Sequence, residues 1–162
     1  GLTAGQLAQQ VRDAAAQGYL AGLPELPVGE GLHAALTAYG TLTEPDYIED
    51  GEIFEFEAPL LYGAYAVAPR GAEDDEAALI TAVRSREICL GGLSTGVSTQ
   101  EDAVALLGEP QTSVEISAGT AEYNRLSVGQ GLQYACGAYT LTLYFDAETQ
   151  LLYAAEIAAV NP

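Results

Sequence analysis

Two stretches of the chain read alike. GLHAALTAYG (31–40) and TQEDAVALLG (99–108) are both short helical patterns that end in glycine, 68 residues apart. Further on, YGAYAVAP (62–69) matches CGAYTLTL (136–143) when Gly63-Ala64-Tyr65 is set on Gly137-Ala138-Tyr139. REI (86–88) then matches AEI (155–157). The same features recur in the same order, with spacings that drift by only a few residues, as in a tandem duplication whose loops have changed length. A chain of 162 residues built this way is one compact domain made of two related units. The expected division is 1–28 as an N-terminal helix and linker, 29–90 as a first α+β unit, and 96–162 as a second.

The second unit is the clearer one. Ser98 and Glu101 fit a capping box, and Ala103, Val104, Leu106 and Leu107 give the helix an apolar stripe. Gly108 suits its C-terminus, and Pro110 blocks continuation. Three strands are expected after it, at 120–127, 132–145 and 151–160. Tyr139, Leu141, Leu143 and Phe145 alternate with Thr140, Thr142 and Tyr144, the pattern of a half-buried antiparallel strand. In the first unit the expected elements are a helix at 30–39 and strands near 52–58, 60–68 and 78–89. An extra helix at about 3–17 opens on Thr3 and Gln6 as a capping box, with Leu7, Val11, Ala14 and Ala15 inward. The fold class that follows is α+β, with helices packed on one face of antiparallel sheet.

Charge removes some partners. The chain carries 23 acidic and 5 basic residues, a net −18, and all five cations are arginines. Such a surface repels phosphate backbones and anionic lipid headgroups, so nucleic acid is excluded as a partner. Adaptation to high salt is a rival explanation of the acidity. No apolar stretch approaches the roughly 20 residues a transmembrane helix needs. The chain opens on Gly1 and contains no methionine, which suggests a leader removed from a secreted or lipid-anchored protein.

The densest chemistry is EDGEIFEFE (49–57), with five carboxylates in nine positions. Asp46, Asp50, Gly51, Ile53 and Glu57 fit parts of a calcium loop, but Ile48 and Phe54 stand where ligands belong. A hairpin turning at Asp50-Gly51 accounts for the stretch better. It pairs Ile48 with Ile53 and Tyr47 with Phe54, puts Phe54 and Phe56 on the core face, and leaves Glu55 and Glu57 wet. His33, the single histidine, has no second ligand signature. Arg84, Arg86 and Arg125 either grip a small anion or neutralise glutamates across the sheet, and the second reading is preferred. Cys89 and Cys136 are the only cysteines. A disulfide between them is open, since pairing needs Cα atoms within reach. No metal or cofactor is expected, and no catalytic residue is assigned.

GVSTQEDAVALLGEP (96–110) resembles the helix-start motif of small extracytoplasmic proteins with the β-lactamase-inhibitor-protein-like fold, a group that includes the SmpA/OmlA-type lipoproteins. LTLYFDAETQLL (141–152) is similar to the strand and turn that follow in that group. The first unit matches loosely, with Tyr39-Gly40 where Leu-Gly stands in the pattern. The resemblance implies helices on one sheet face, a cell-envelope location and a binding role. The expected function is therefore non-enzymatic binding or scaffolding of a protein or envelope component, through a sheet face carrying Thr140, Thr142, Tyr144 and Tyr153. A carboxylate-dependent hydrolase and a structural module of an envelope assembly are the alternatives.

Overall fold

The computed structural model describes residues 1–160. α1 (Ala4–Ala16) and α2 (Leu32–Tyr39) come first. Next are β1 (Asp46–Ile48), β2 (Gly51–Glu55), β3 (Ala64–Ala68) and β4 (Ala82–Ser85), with 3₁₀ turns at Pro59–Leu61 and Ala72–Asp74. A small hairpin, β5 (Cys89–Leu90) and β6 (Leu93–Ser94), leads to α3 (Gln100–Leu107). The chain then makes β7 (Thr112–Ile116), α4 (Ala118–Asn124), β8 (Gly129–Cys136), β9 (Tyr139–Asp146) and β10 (Leu152–Ala159). The fold is α+β, with helices packed on a large antiparallel sheet.

Eight strands form that sheet in the order β1-β2-β3-β4-β10-β9-β8-β7. Two meanders therefore meet at β4 and β10. Arg84 lies opposite Glu156 there, and Val83 opposite Ile157. The side chains of Phe54 and Phe56, Val83, Ala155 and Ile157, and Leu141, Leu143 and Phe145 form one face, all buried. α1, α2 and α3 contribute Val11, Ala15, Leu32, Ala35, Ala103 and Leu107 to the same core. The segment between α1 and α2, expected as a linker, joins them: Leu20, Leu23 and Leu26 are buried in that core.

Local sequence explains the helix ends. Thr3 and Gln6 form the expected capping box of α1. At α3 the box lies one residue later than expected: Thr99 accepts from the Asp102 N–H, and the Asp102 carboxylate accepts from the Thr99 N–H. Ser98 is buried instead and accepts from the Ser94 N–H. Gly40 and Gly108, with φ of 71° and 83°, end α2 and α3 in a region other residues avoid.

Three expectations about strands fail. Residues 118–124 are helical, so 120–127 is not a strand. The stretch 132–145 is a hairpin, β8 turning into β9 at Gly137-Ala138, rather than one strand. The β1–β2 hairpin pairs Ile48 with Gly51 and Tyr47 with Glu52, so its loop is Glu49-Asp50 and not Asp50-Gly51. Strand alternation puts Glu52 on the Phe54 and Phe56 face, where it is 2% exposed. One of its oxygens accepts from the Gly71 N–H, and the other has no protein partner.

Candidate functional site

The face opposite the three helices was expected to be an open surface. It is covered in large part. Thr142 and Tyr144 are buried, while Thr140 and Tyr153 are half-buried. The cover is α4, held by its own cap: Ser117 accepts from the Thr120 N–H. Tyr144 packs with Ile116, Ala121 and Ala154, and Val114, Leu126 and Tyr153 pack against that cluster. Four of the anticipated contact residues are thus neighbours on β9 and β10, but they form an interior and not a flat exposed patch.

Gly131 makes the arrangement possible. A Cβ at that position would lie 3.1 Å from Val114, 3.3 Å from Thr142 and 3.4 Å from the Tyr144 ring. The missing side chain gives Tyr144 its place over β8. Tyr153 pins the segment after α4, accepting from the Ser127 N–H at 2.9 Å and donating to the Ser127 carbonyl at 3.2 Å.

The arginines do two jobs here. Arg84 Nε donates to Glu156 Oε2 at 2.8 Å, so the expected cross-sheet neutralisation is made. Arg84 Nη1 also donates to the carbonyls of Asn124 and Arg125, at 3.0 and 3.2 Å. Arg86 donates to the Arg125 carbonyl at 2.6 Å. Two guanidinium groups, from Arg84 on β4 and Arg86 just after it, therefore cap the C-terminus of α4, where carbonyls lack helical partners and attract cations. Burial opposes the charge on Arg84, but the Glu156 carboxylate and its hydrogen bond outweigh it, and the net pKa is raised. Arg86 and Arg125 also lie 5.6 and 5.7 Å from the centre of the Tyr65 ring.

α4 reaches across to the far edge of the sheet. The Glu49 N–H donates to the Tyr123 carbonyl at 3.2 Å, and Asn124 Nδ2 donates to Glu49 Oε2 at 3.1 Å. Between this bridge and the strands lies a groove of about 390 Å³. It is lined by Ile48, Val67, Ala82 and Ala158, by Val114, Ile116 and Leu126, by Arg84, Glu156 and Tyr144, and by the exposed Glu49 and Asp50. Among the described residues, the Tyr144 hydroxyl makes no hydrogen bond, although the residue is 8% exposed. Burial and then the Glu156 charge push its pKa far above the usual tyrosine range, against a smaller pull from Arg84. The hydroxyl is therefore neutral, with its proton free to be donated.

No protein-family model and no curated protein matches the chain. Among solved structures, a DUF4309 family protein, YjgB from Bacillus subtilis subsp. subtilis str. 168, matches over 96% of this chain and 97% of its own, with a TM-score of 0.65 at 14% identity. The chain shares that fold. A cysteine-rich secretory protein, SAV1118 from Staphylococcus aureus subsp. aureus Mu50, matches over 82% of this chain and 44% of its own, at 9% identity and a TM-score of 0.47. A likeness at that level supports no inference about this chain.

The remaining residues singled out in the sequence lie elsewhere. His33 Nε2 is 2.7 Å from the Ala72 carbonyl, a structural contact. Cys89 is exposed and Cys136 buried, each as a free thiol. Among the described residues, no three His, Cys, Asp or Glu side chains gather as metal ligands do. Among the described residues, no helix is long and apolar enough to cross a membrane. α4 and β7, which line the groove, are the elements the sequence does not announce. Ser117 before Ala118-Gly119-Thr120 was the available signal, a cap three residues ahead of the N–H it binds.

Proposed function

We propose that the protein is a non-enzymatic binding protein of the cell envelope or exterior, and that it takes its partner in the groove between α4 and the sheet. The observation that carries this reading is the groove itself, where apolar side chains surround the Arg84–Glu156 pair and a Tyr144 hydroxyl that, among the described residues, has no protein partner. A partner in the groove can hydrogen-bond that hydroxyl in place of water. Apolar walls around a few polar groups are the usual make-up of a ligand site. Two of the three carboxylates that line it are already engaged, Glu156 with Arg84 and Glu49 with Asn124, which favours binding over acid–base chemistry. The envelope location, and kinship with the β-lactamase-inhibitor-protein-like group, rest on the resemblance of residues 96–110.

The groove has a simple test. Ala158→Phe fills the groove from β10 while leaving Arg84 and Glu156 themselves unchanged. Extracellular and envelope extracts are passed over immobilised wild-type and variant protein, and retained species are compared by mass spectrometry. A species held by wild type and lost from a folded variant supports the reading; identical retention rejects the groove. Detection of the native protein only in the cytosolic fraction rejects the location.

We also propose that the fold arose by tandem duplication. The order β1-β2-β3-β4 followed by β10-β9-β8-β7 is what a pseudo-two-fold pair of four-stranded meanders gives. α2 and α3, both eight residues long and ended by glycine, precede the two meanders. Superposing 29–89 on 97–158 tests it. The two helices and four strands must pair in order, with α4 as an insertion in the second unit.

A further inference from the structure

We infer that the groove selects a small organic ammonium ion with an apolar body. This rests on the groove being a binding site and adds the chemical class of its ligand. Three carboxylates line it, Glu49, Asp50 and Glu156, against one guanidinium, Arg84. That guanidinium is committed: it binds Glu156 and two carbonyls of the α4 C-terminus. Its side chain is 4% exposed, whereas that of Glu156 is 15% exposed. Glu156 uses Oε2 toward Arg84 and, among the described residues, Oε1 accepts no hydrogen bond. The part of the ion pair that a visitor meets is thus its carboxylate.

An ammonium group matches this lining. It has three donors, of which one reaches Glu156 Oε1 and another the lone pair of the Tyr144 hydroxyl. An anion would face the carboxylates of Glu156, Glu49 and Asp50. The walls from Ile48, Val67, Ala82, Ala158 and Ile116 then receive alkyl or aryl carbon. Long-range attraction works in the same direction, because the net charge of −18 concentrates cations at the surface.

The test uses hexylammonium as the probe, with hexanol and hexanoate as controls of nearly equal size. Each is titrated into isotopically labelled protein, and methyl and amide shifts are followed. Hexylammonium is expected to give saturable shifts at Ile48, Ile116 and Ala158, with hexanol at least about tenfold weaker, as expected for loss of a charged hydrogen bond. Hexanoate is expected to give none. Tyr144→Phe keeps the ring and the fold and should weaken hexylammonium by about two- to tenfold, the effect of one neutral hydrogen bond. Equal or tighter binding of hexanol or hexanoate in the groove overturns the ammonium assignment while the binding site stands. Shifts that persist in folded Ala158→Phe place the probe outside the groove and overturn both readings. Shifts confined to exposed carboxylates and abolished by moderate salt mean diffuse adsorption, and overturn the inference; so does the absence of any saturable shift.

Discussion

Arg84 and Glu156 face each other across β4 and β10, with Nε and Oε2 2.8 Å apart, at the one strand pair where the two meanders meet. The same arginine holds the end of α4. One side chain therefore ties the seam of the sheet to the helix that roofs the groove.

Arg84→Ala is expected to lower stability by about 3–5 kcal/mol, because it leaves Glu156 poorly solvated and unpaired. The double change Arg84→Met, Glu156→Leu removes that stranded charge and should recover part of the loss. Recovery is incomplete, since the carbonyls of Asn124 and Arg125 still lose their donor. Urea denaturation of the three proteins measures this. Full recovery would show that the bonds to α4 contribute nothing.

Gly131→Ala should destabilise by about 1–3 kcal/mol, as overpacking does when neighbours must shift. The methyl group meets Val114, Thr142 and Tyr144 at once. Proton spectra should show the Tyr144 ring displaced and, with it, weaker binding in the groove. A variant as stable as wild type with an unmoved ring would contradict this packing.

Thr99→Ala removes the α3 cap and should cost about 1 kcal/mol, while Thr99→Ser stays within a few tenths. Thermal melts of both separate the lost hydroxyl from the lost methyl group. Equal losses would locate the effect in packing.

The tyrosines set an alkaline limit. Burial raises the pKa of Tyr144, Tyr153, Tyr134 and Tyr65 above the usual value of 10.0. The folded state then holds its phenolic protons more tightly than the unfolded chain. This contribution is fully present below about pH 10 and is lost as pH rises from there through the folded-state values. Denaturation series from about pH 8 upward, with phenolate absorbance followed in parallel, should show stability falling above pH 10. Tyr144→Phe should make the fall shallower; an unchanged slope would remove Tyr144 from the effect.

Much of the architecture is legible in the sequence because it depends on periodicity. The alternation through Leu141, Leu143 and Phe145 marks the core face of β9, and Thr3 with Gln6 marks the start of α1. The site is less legible because alternation says that a strand has two different faces, not that the second is wet. Thr142 and Tyr144 look like solvent-tolerant residues, yet both are buried, Tyr144 in a cluster that the seven-residue helix joins through Ala121. That helix, AGTAEYN, has two poor helix formers, Gly119 and Thr120, and no strong apolar stripe. Its position is fixed by distant groups, the guanidiniums of Arg84 and Arg86 and the Glu49 turn. The shifted hairpin has the same origin. Asp50-Gly51 is the better local turn, yet Glu49-Asp50 makes the loop once β2 is locked to β3 by its own ladder.

The meeting of β4 with β10 also sets a timetable. The residues that pair there, Arg84 and Glu156, are 72 positions apart, and β10 follows every other strand in the chain. During synthesis, β4 leaves the ribosome with β3 on one side and nothing on the other. Its free edge waits while the second meander is made, and closes only when the last strand arrives. An unpaired edge of this kind is a template for another chain. A chain halted before β10 would carry an intact first meander with that edge open, and its hazard is association with a second nascent copy. The order of manufacture, rather than any contact in the finished molecule, makes the last strand the one this fold can least do without.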